Sequence, residues 1–141
     1  MLDRPLHPMV IHFPIALYLL GVLFTLGTLR QRRDDYERFA GWAFLLAWIS
    51  GLVAALVGVV DQGALDPNDP RRGPINNHIT AGIAFLILSG LVVYVRIRWP
   101  DPLRSSRRFL YLVLMAAGLI VLVVVGWLGG ELVYGLKVGI E

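Results

Sequence analysis

The chain has no cysteine. That excludes disulfides, thiolate-ligated iron–sulfur clusters and covalent haem attachment through a Cys-x-x-Cys-His motif. It also has no Asp, Glu, Lys or Arg across residues 10–29, 40–60, 79–95 and 109–130. No glycine loop of the phosphate-binding kind and no His-Glu-x-x-His pair is present, and no serine stands with a histidine in a recognisable nucleophile pattern. Hydrolase and nucleotide-driven chemistry are therefore poorly supported, and the residues name no catalytic group. The apolar runs do not alternate polar with apolar positions, which argues against a transmembrane barrel. The N-terminus lacks the basic stretch and small-residue cleavage site of a secretory signal, so the first span is expected to be retained.

What is present is four apolar runs, each close to the roughly 20 residues a helix needs to cross hydrocarbon. Backbone groups in lipid must be paired inside the segment. The runs thus predict an all-α fold, a four-transmembrane-helix bundle forming one integral membrane domain over residues 1–141. Its helices are expected at roughly 10–29, 40–60, 78–97 and 109–130. The central connection, 62–77, is rich in Gly, Pro, Asp and Asn and reads as an exposed loop. Asn76 or Asn77 is expected to cap the third helix, placing His78 in its first turn. The pair Gly129-Gly130 predicts a break or a close backbone approach at the end of the fourth, followed by an interfacial tail anchored by Tyr134.

Arginine sets the expected orientation. Arg30, Arg32, Arg33 and Arg38 follow the first span, and Arg96, Arg98, Arg104, Arg107 and Arg108 lie between the last two. These are nine of the thirteen basic residues. Only Arg4, Arg71, Arg72 and Lys137 fall at the other end. The arginine-rich end is expected to be cytoplasmic, with both termini on the outer, periplasmic side of a bacterial inner membrane. The net charge of +3 sits in short loops, which suits lipid headgroups better than nucleic acid.

His7, His12 and His78 all fall at the outer end, with Asp61 and Glu131 closing the second and fourth spans there. Polar side chains at the edge of hydrocarbon are costly and mark functional positions. Two facing helices that each offer one histidine can clamp a haem. His12 and His78 fit that description, with His7 a weaker third candidate beside Pro8. If residues 7–12 are helical, five steps of about 100° turn His7 and His12 well apart. His12, His78, Asp61 and Glu131 could alternatively ligate a metal ion, although the Glu-x-x-His pair of carboxylate-bridged bundles is absent. The small-residue stripe Gly51, Ala54, Ala55, Gly58 ending at Asp61 allows close approach of a helix or of a flat ligand.

The stretches Leu6-His7-Pro8-Met9-Val10-Ile11-His12-Phe13-Pro14-Ile15 and Gly126-Trp127-Leu128-Gly129-Gly130-Glu131-Leu132-Val133-Tyr134 resemble the DUF2231 family of four-helix bacterial membrane proteins. An Asp after the second helix and a His opening the third, here Asp61 and His78, belong to the same pattern. The segment Gly135-Leu136-Lys137-Val138-Gly139 departs from it, since members often carry a histidine before the second glycine. Members are found joined to cytochrome c or Rieske-type domains, so the resemblance implies an electron-transfer setting. It also implies a site made of His7, His12, Asp61, His78 and Glu131.

The leading expectation is a b-type membrane cytochrome that binds haem b near its outer face. It would exchange electrons with a quinol or with a periplasmic redox protein such as a c-type cytochrome. The helices at 40–60 and 109–130 offer no histidine for a second haem, so a homodimer is one way to bring two haems together. The alternatives are a copper, zinc or iron binding or transport protein, and a structural subunit of a larger membrane complex.

Overall fold

The computed structural model describes residues 6–63, 66 and 68–138. Arg4, Pro5, Pro67 and Gly139 lie outside this set. A single helical turn, α1 (His7–Val10), runs into α2 (His12–Gln31), and then come α3 (Asp34–Gly63), α4 (Arg72–Arg98) and α5 (Arg108–Gly130). Four stretches are long and apolar enough to cross a membrane: His7–Gln31, Asp34–Gly63, Arg72–Arg98 and Arg108–Gly135. At a rise of about 1.5 Å per residue, α3 alone reaches well beyond a hydrocarbon core of about 30 Å. The expected four-helix, all-α architecture is what forms.

The helices overrun their apolar windows because their ends carry suitable chemistry. Asp34, Asp35 and Glu37 occupy the first turn of α3, where negative charge meets the positive end of the helix dipole. Arg32 adopts a left-handed conformation with φ 53° and closes α2, its N–H donating to the Thr28 carbonyl at 2.8 Å. The α2–α3 connection is therefore very short. α4 begins at Arg72 rather than near residue 78 and has no side-chain cap. Pro74 falls in its first turn, where a missing N–H leaves no bond unmade. His78 is consequently in the second turn, and Asn76 instead accepts a hydrogen bond from Gln62 at 3.1 Å. The glycine pair Gly129-Gly130 does not break α5. The helix widens there into a π turn over Glu131–Gly135, a form found frequently at functional sites.

Between α3 and α4 the chain turns on its own carboxylates. Asp66 accepts the Asn68 N–H, and Asp69 accepts the Arg71 N–H, each at 2.8 Å. The Arg71 guanidinium also grips Asp69, with Nη2 at 2.8 Å. The hydrogen bonds from Arg71 pull the Asp69 carboxyl down from 3.8 to about 2. At the opposite end, Trp99 is flanked by the guanidinium groups of Arg98 and Arg107.

α2 packs along α3 and α4 along α5, and α3 against α4 joins the two hairpins. Aromatic rings fill the middle. Tyr18 meets Phe44 and Phe85 edge-on at centroid distances of 5.0 and 5.1 Å. Around them lie Ala40, Ala47, Val92, Tyr111, Met115, Leu122 and Val125. The outward faces are apolar too, with Leu56, Val60, Ile97, Ile120 and Trp127 all exposed. Such an inside and outside suits lipid as the surrounding solvent, where small residues and dispersion contacts hold helices together.

Candidate functional site

One end of the bundle gathers two of the three histidines. The Leu6 and Ile11 backbones are right-handed helical, so the chain spirals through residues 7–12 and His7 and His12 point apart. His7 turns inward, half-buried, and His12 is exposed at the start of α2. The ring that meets His78 is therefore that of His7. Their centroids are 5.9 Å apart and their planes stand at 84°.

The small-residue stripe of α3 is the seat for His7. Gly51 packs close to Leu86 and Pro14, while a Cβ at Gly58 would come within 3.0 Å of His7 Nδ1. Close helix approach is thus what the stripe serves at Gly51, and at Gly58 the space is taken by the His7 ring. The His7 Nδ1 lies 2.8 Å from the Ala54 carbonyl. A carbonyl only accepts, so Nδ1 carries the proton and the lone pair sits on Nε2. That Nε2 is buried with no partner.

His78 likewise keeps a nitrogen without a partner, its buried Nδ1, on a ring close to the α5 backbone. Gly129 makes the space, since a Cβ there would be 3.2 Å from His78 Cε1. The His7 ring is thus held through Nδ1 by the α3 backbone, and each ring presents one buried nitrogen with no partner. A buried polar atom without a partner costs free energy. An outer hydrogen bond that fixes the tautomer while the other nitrogen stays open is the pattern of metal-ligating histidines.

The acidic candidates are placed differently. Asp61 accepts the backbone N–H of His7 at 2.9 Å, so it caps the short α1 and fixes the position of His7. Glu131 is exposed in the π turn. Among the described residues, no three His, Asp or Glu side chains are grouped closely enough to hold a metal ion. The set His12, His78, Asp61 and Glu131 is thus not assembled. The structure joins His7 to His78, with Asp61 at the backbone of the first.

The other end contains a cluster that the residue pattern had not singled out. Arg96, grouped with the loop arginines by its place after an apolar run, is buried in the bundle together with Glu37, the two side chains 8% and 9% exposed. Arg96 Nη1 is 3.0 Å from Glu37 Oε1 and donates to the Tyr111 hydroxyl at 2.8 Å. Nη2 donates to the Glu37 carbonyl. The N–H vectors point at Tyr111 and at that carbonyl, so the Glu37 carboxylate is held by proximity of charge rather than by an aligned hydrogen bond. Tyr111 in turn shares a hydrogen bond of 3.0 Å with Thr25. Thr25, Glu37, Arg96 and Tyr111 come from α2, α3, α4 and α5, so one network ties all four helices.

A family model described as a predicted membrane protein (DUF2231) matches residues 3–141. The chain belongs to this family. No curated protein and no solved structure matches it. Membership covers the whole bundle and with it both polar clusters. It identifies a membrane protein and leaves the assignment of an activity to the geometry of the chain.

Proposed function

We propose that this chain is a membrane-embedded electron carrier whose transition-metal centre, a haem b iron, is ligated by His7 and His78. One observation supports this most: two half-buried imidazoles on separate spans meet ring to ring, and each has one buried nitrogen without a partner. A metal bonds imidazole nitrogen at about 2 Å, and ring centroids 5.9 Å apart suit one ion between them. Gly82, one turn beyond His78 on the same face of α4, has nothing within 4 Å of where a Cβ would stand. It leaves room beside His78 for a ligand larger than an ion.

When bound, haem iron supplies one-electron chemistry, its potential set by axial ligands, burial and hydrogen bonding. The chain supplies the rest. Ala54 orients the His7 ring, Asp61 fixes the backbone of His7, and the apolar bundle keeps water from the ligands. A quinol or a soluble redox protein such as a c-type cytochrome would meet the centre at the histidine end. The edge-on contact of the two rings favours a second reading, a bare copper ion held by the same pair.

Absorption spectra of the detergent-purified protein, oxidised and then reduced with dithionite, test this. A sharp Soret band with split α and β bands on reduction is expected. His7→Ala and His78→Ala should abolish it, and His12→Ala should retain it. A featureless spectrum with one copper per chain by elemental analysis would support the bare ion instead, and neither haem nor copper would overturn both.

A further inference from the structure

A groove of about 430 Å³ opens between α3 and α4 at the arginine-rich end, far along both helices from the histidines. Its walls are apolar, from Trp42, Leu45, Val93 and Ile97, and its polar contributions come from Arg38 and Arg96. Gly41 lies between them. A Cβ at Gly41 would come within 3.2 Å of Arg96 Nε and Nη2, so the missing side chain is what opens the buried guanidinium to the groove. Arg96 commits Nη1 to Tyr111 and Nη2 to the Glu37 carbonyl, which leaves its Nε–H on the Gly41 side. Arg38 is exposed, with Asp35 a loose 3.6 Å away. It can swing to meet a ligand at the groove mouth.

We propose that this groove is a binding site for an anionic phospholipid. One acyl chain lies along Leu45, Val93 and Ile97, and the headgroup phosphate is held between Arg38 and the open edge of Arg96. Charge favours this occupant. The surrounding end of the bundle carries Arg30, Arg32, Arg33, Arg38, Arg96, Arg98, Arg104, Arg107 and Arg108 against only Asp34, Asp35, Glu37 and Asp101. Guanidinium groups suit phosphate oxygens in geometry as well as in charge. An indole at the rim, here the exposed Trp42, is the side chain most at home at headgroup depth. The lipid then covers the edge of Arg96 that lines the groove, so it also shields that guanidinium. None of this depends on what His7 and His78 bind.

Native mass spectrometry of the full chain in detergent, titrated with phosphatidylglycerol or phosphatidylcholine, tests the proposal. Phosphatidylglycerol should be retained about fivefold or more over phosphatidylcholine, the scale of a single arginine acting on an anionic lipid. Arg38→Ala should bring the two lipids close to equal. Gly41→Leu should abolish retention of phosphatidylglycerol by filling the groove. Because Gly41→Leu also presses on Arg96 and could disturb folding, Arg38→Ala and Trp42→Ala at exposed positions carry the test by themselves. Equal retention of both lipids by the wild type, unchanged preference in Arg38→Ala, or displacement of the lipid by equimolar inorganic phosphate would each overturn the proposal.

Discussion

Tyr18 reaches from α2 to α5, where its hydroxyl donates to the Met115 carbonyl at 3.0 Å and the ring end lies over Gly118. Phe44 and Phe85 hold the ring on its edges, so it has nowhere to retreat. A methyl group at Gly118 must therefore displace either the phenol or α5 itself. Gly118→Ala is expected to destabilise the bundle by about 1–3 kcal/mol, the usual cost of overpacking a full core. Gly126→Ala makes the control, since open space surrounds that position and alanine is the better helix former. Unfolding in SDS mixed micelles should separate the two variants clearly. Equal stability would mean that Tyr18 does not occupy the position described. The same residue-scale logic separates His7 from His12. The two differ by five positions on a helical backbone, and only the one whose ring lies over Gly58 and under Ala54 acquires a tautomer and an open nitrogen.

On α3, α4 and α5 one inward-facing series steps alternately by three and four, with Ala43, Val93 and Val95 buried beside it. In α3 the series runs Glu37, Ala40, Phe44, Ala47, Gly51, Ala54, Gly58, Asp61, and in α4 Ile75, His78, Gly82, Phe85, Ser89, Val92, Arg96. In α5 it is Tyr111, Met115, Gly118, Leu122, Val125, Gly129, Leu132. That is the 3.5-residue period of helices that pack with a slight left-handed supercoil. Hydrophobicity could not reveal it, because the lipid-facing positions are as apolar as the buried ones. Small, aromatic and polar residues carry the signal instead. The apolar runs made the four helices legible, but the helix ends were not, since Asp34 and Arg72 lie outside any apolar window. The stripe explains the site as well. His78, Asp61, Glu37 and Arg96 are on it, while His12 and Glu131 are off it and face outward. Position at the end of a span was thus a weaker guide than position on this stripe.

The element-scale consequence concerns the network at the arginine-rich end. A buried ion pair contributes little net stability compared with an apolar replacement, but removing one member strands the other. Arg96→Met removes the guanidinium 3.0 Å from the Glu37 carboxylate and leaves the Tyr111 hydroxyl with Thr25 as its remaining partner. It should cost about 3 kcal/mol or more. Glu37→Gln combined with Arg96→Met should cost clearly less than the sum of the two single changes, with a coupling of about 1–3 kcal/mol. Additive losses in the double mutant would show that the two side chains do not act as a pair. By contrast, the Arg104–Asp34 contact at 2.6 Å is exposed and screened by solvent, so Arg104→Ala sets the baseline for a surface charge in the same measurement.

For the whole molecule, two polar clusters occupy opposite ends of one bundle, and they differ in what they lack. The arginine-end network draws a residue from each of α2, α3, α4 and α5, and its Glu37 carboxylate, without a hydrogen bond at either oxygen, has a counter-ion in Arg96 at 3.0 Å. The histidine end has two open nitrogens and a cap. The former reads as a fastening and the latter as a place for something to bind. The arginines predict which compartment each end meets. Withdrawal of Arg96 into the bundle removes one of the loop charges, yet Arg30, Arg32, Arg33, Arg38, Arg98, Arg104, Arg107 and Arg108 remain at that end, against Arg71, Arg72 and Lys137 among the described residues at the other. The positive-inside rule then predicts the histidine end outside. A chain without cysteine allows a direct check by single substitutions at exposed loop positions. Asn68→Cys, in the α3–α4 turn, should react with a membrane-impermeant maleimide in spheroplasts. Ser106→Cys, between α4 and α5, should react only after lysis. The reverse labelling would turn the candidate centre toward the cytoplasm and would remove periplasmic cytochromes from its possible partners, while leaving the geometry of His7 and His78 intact.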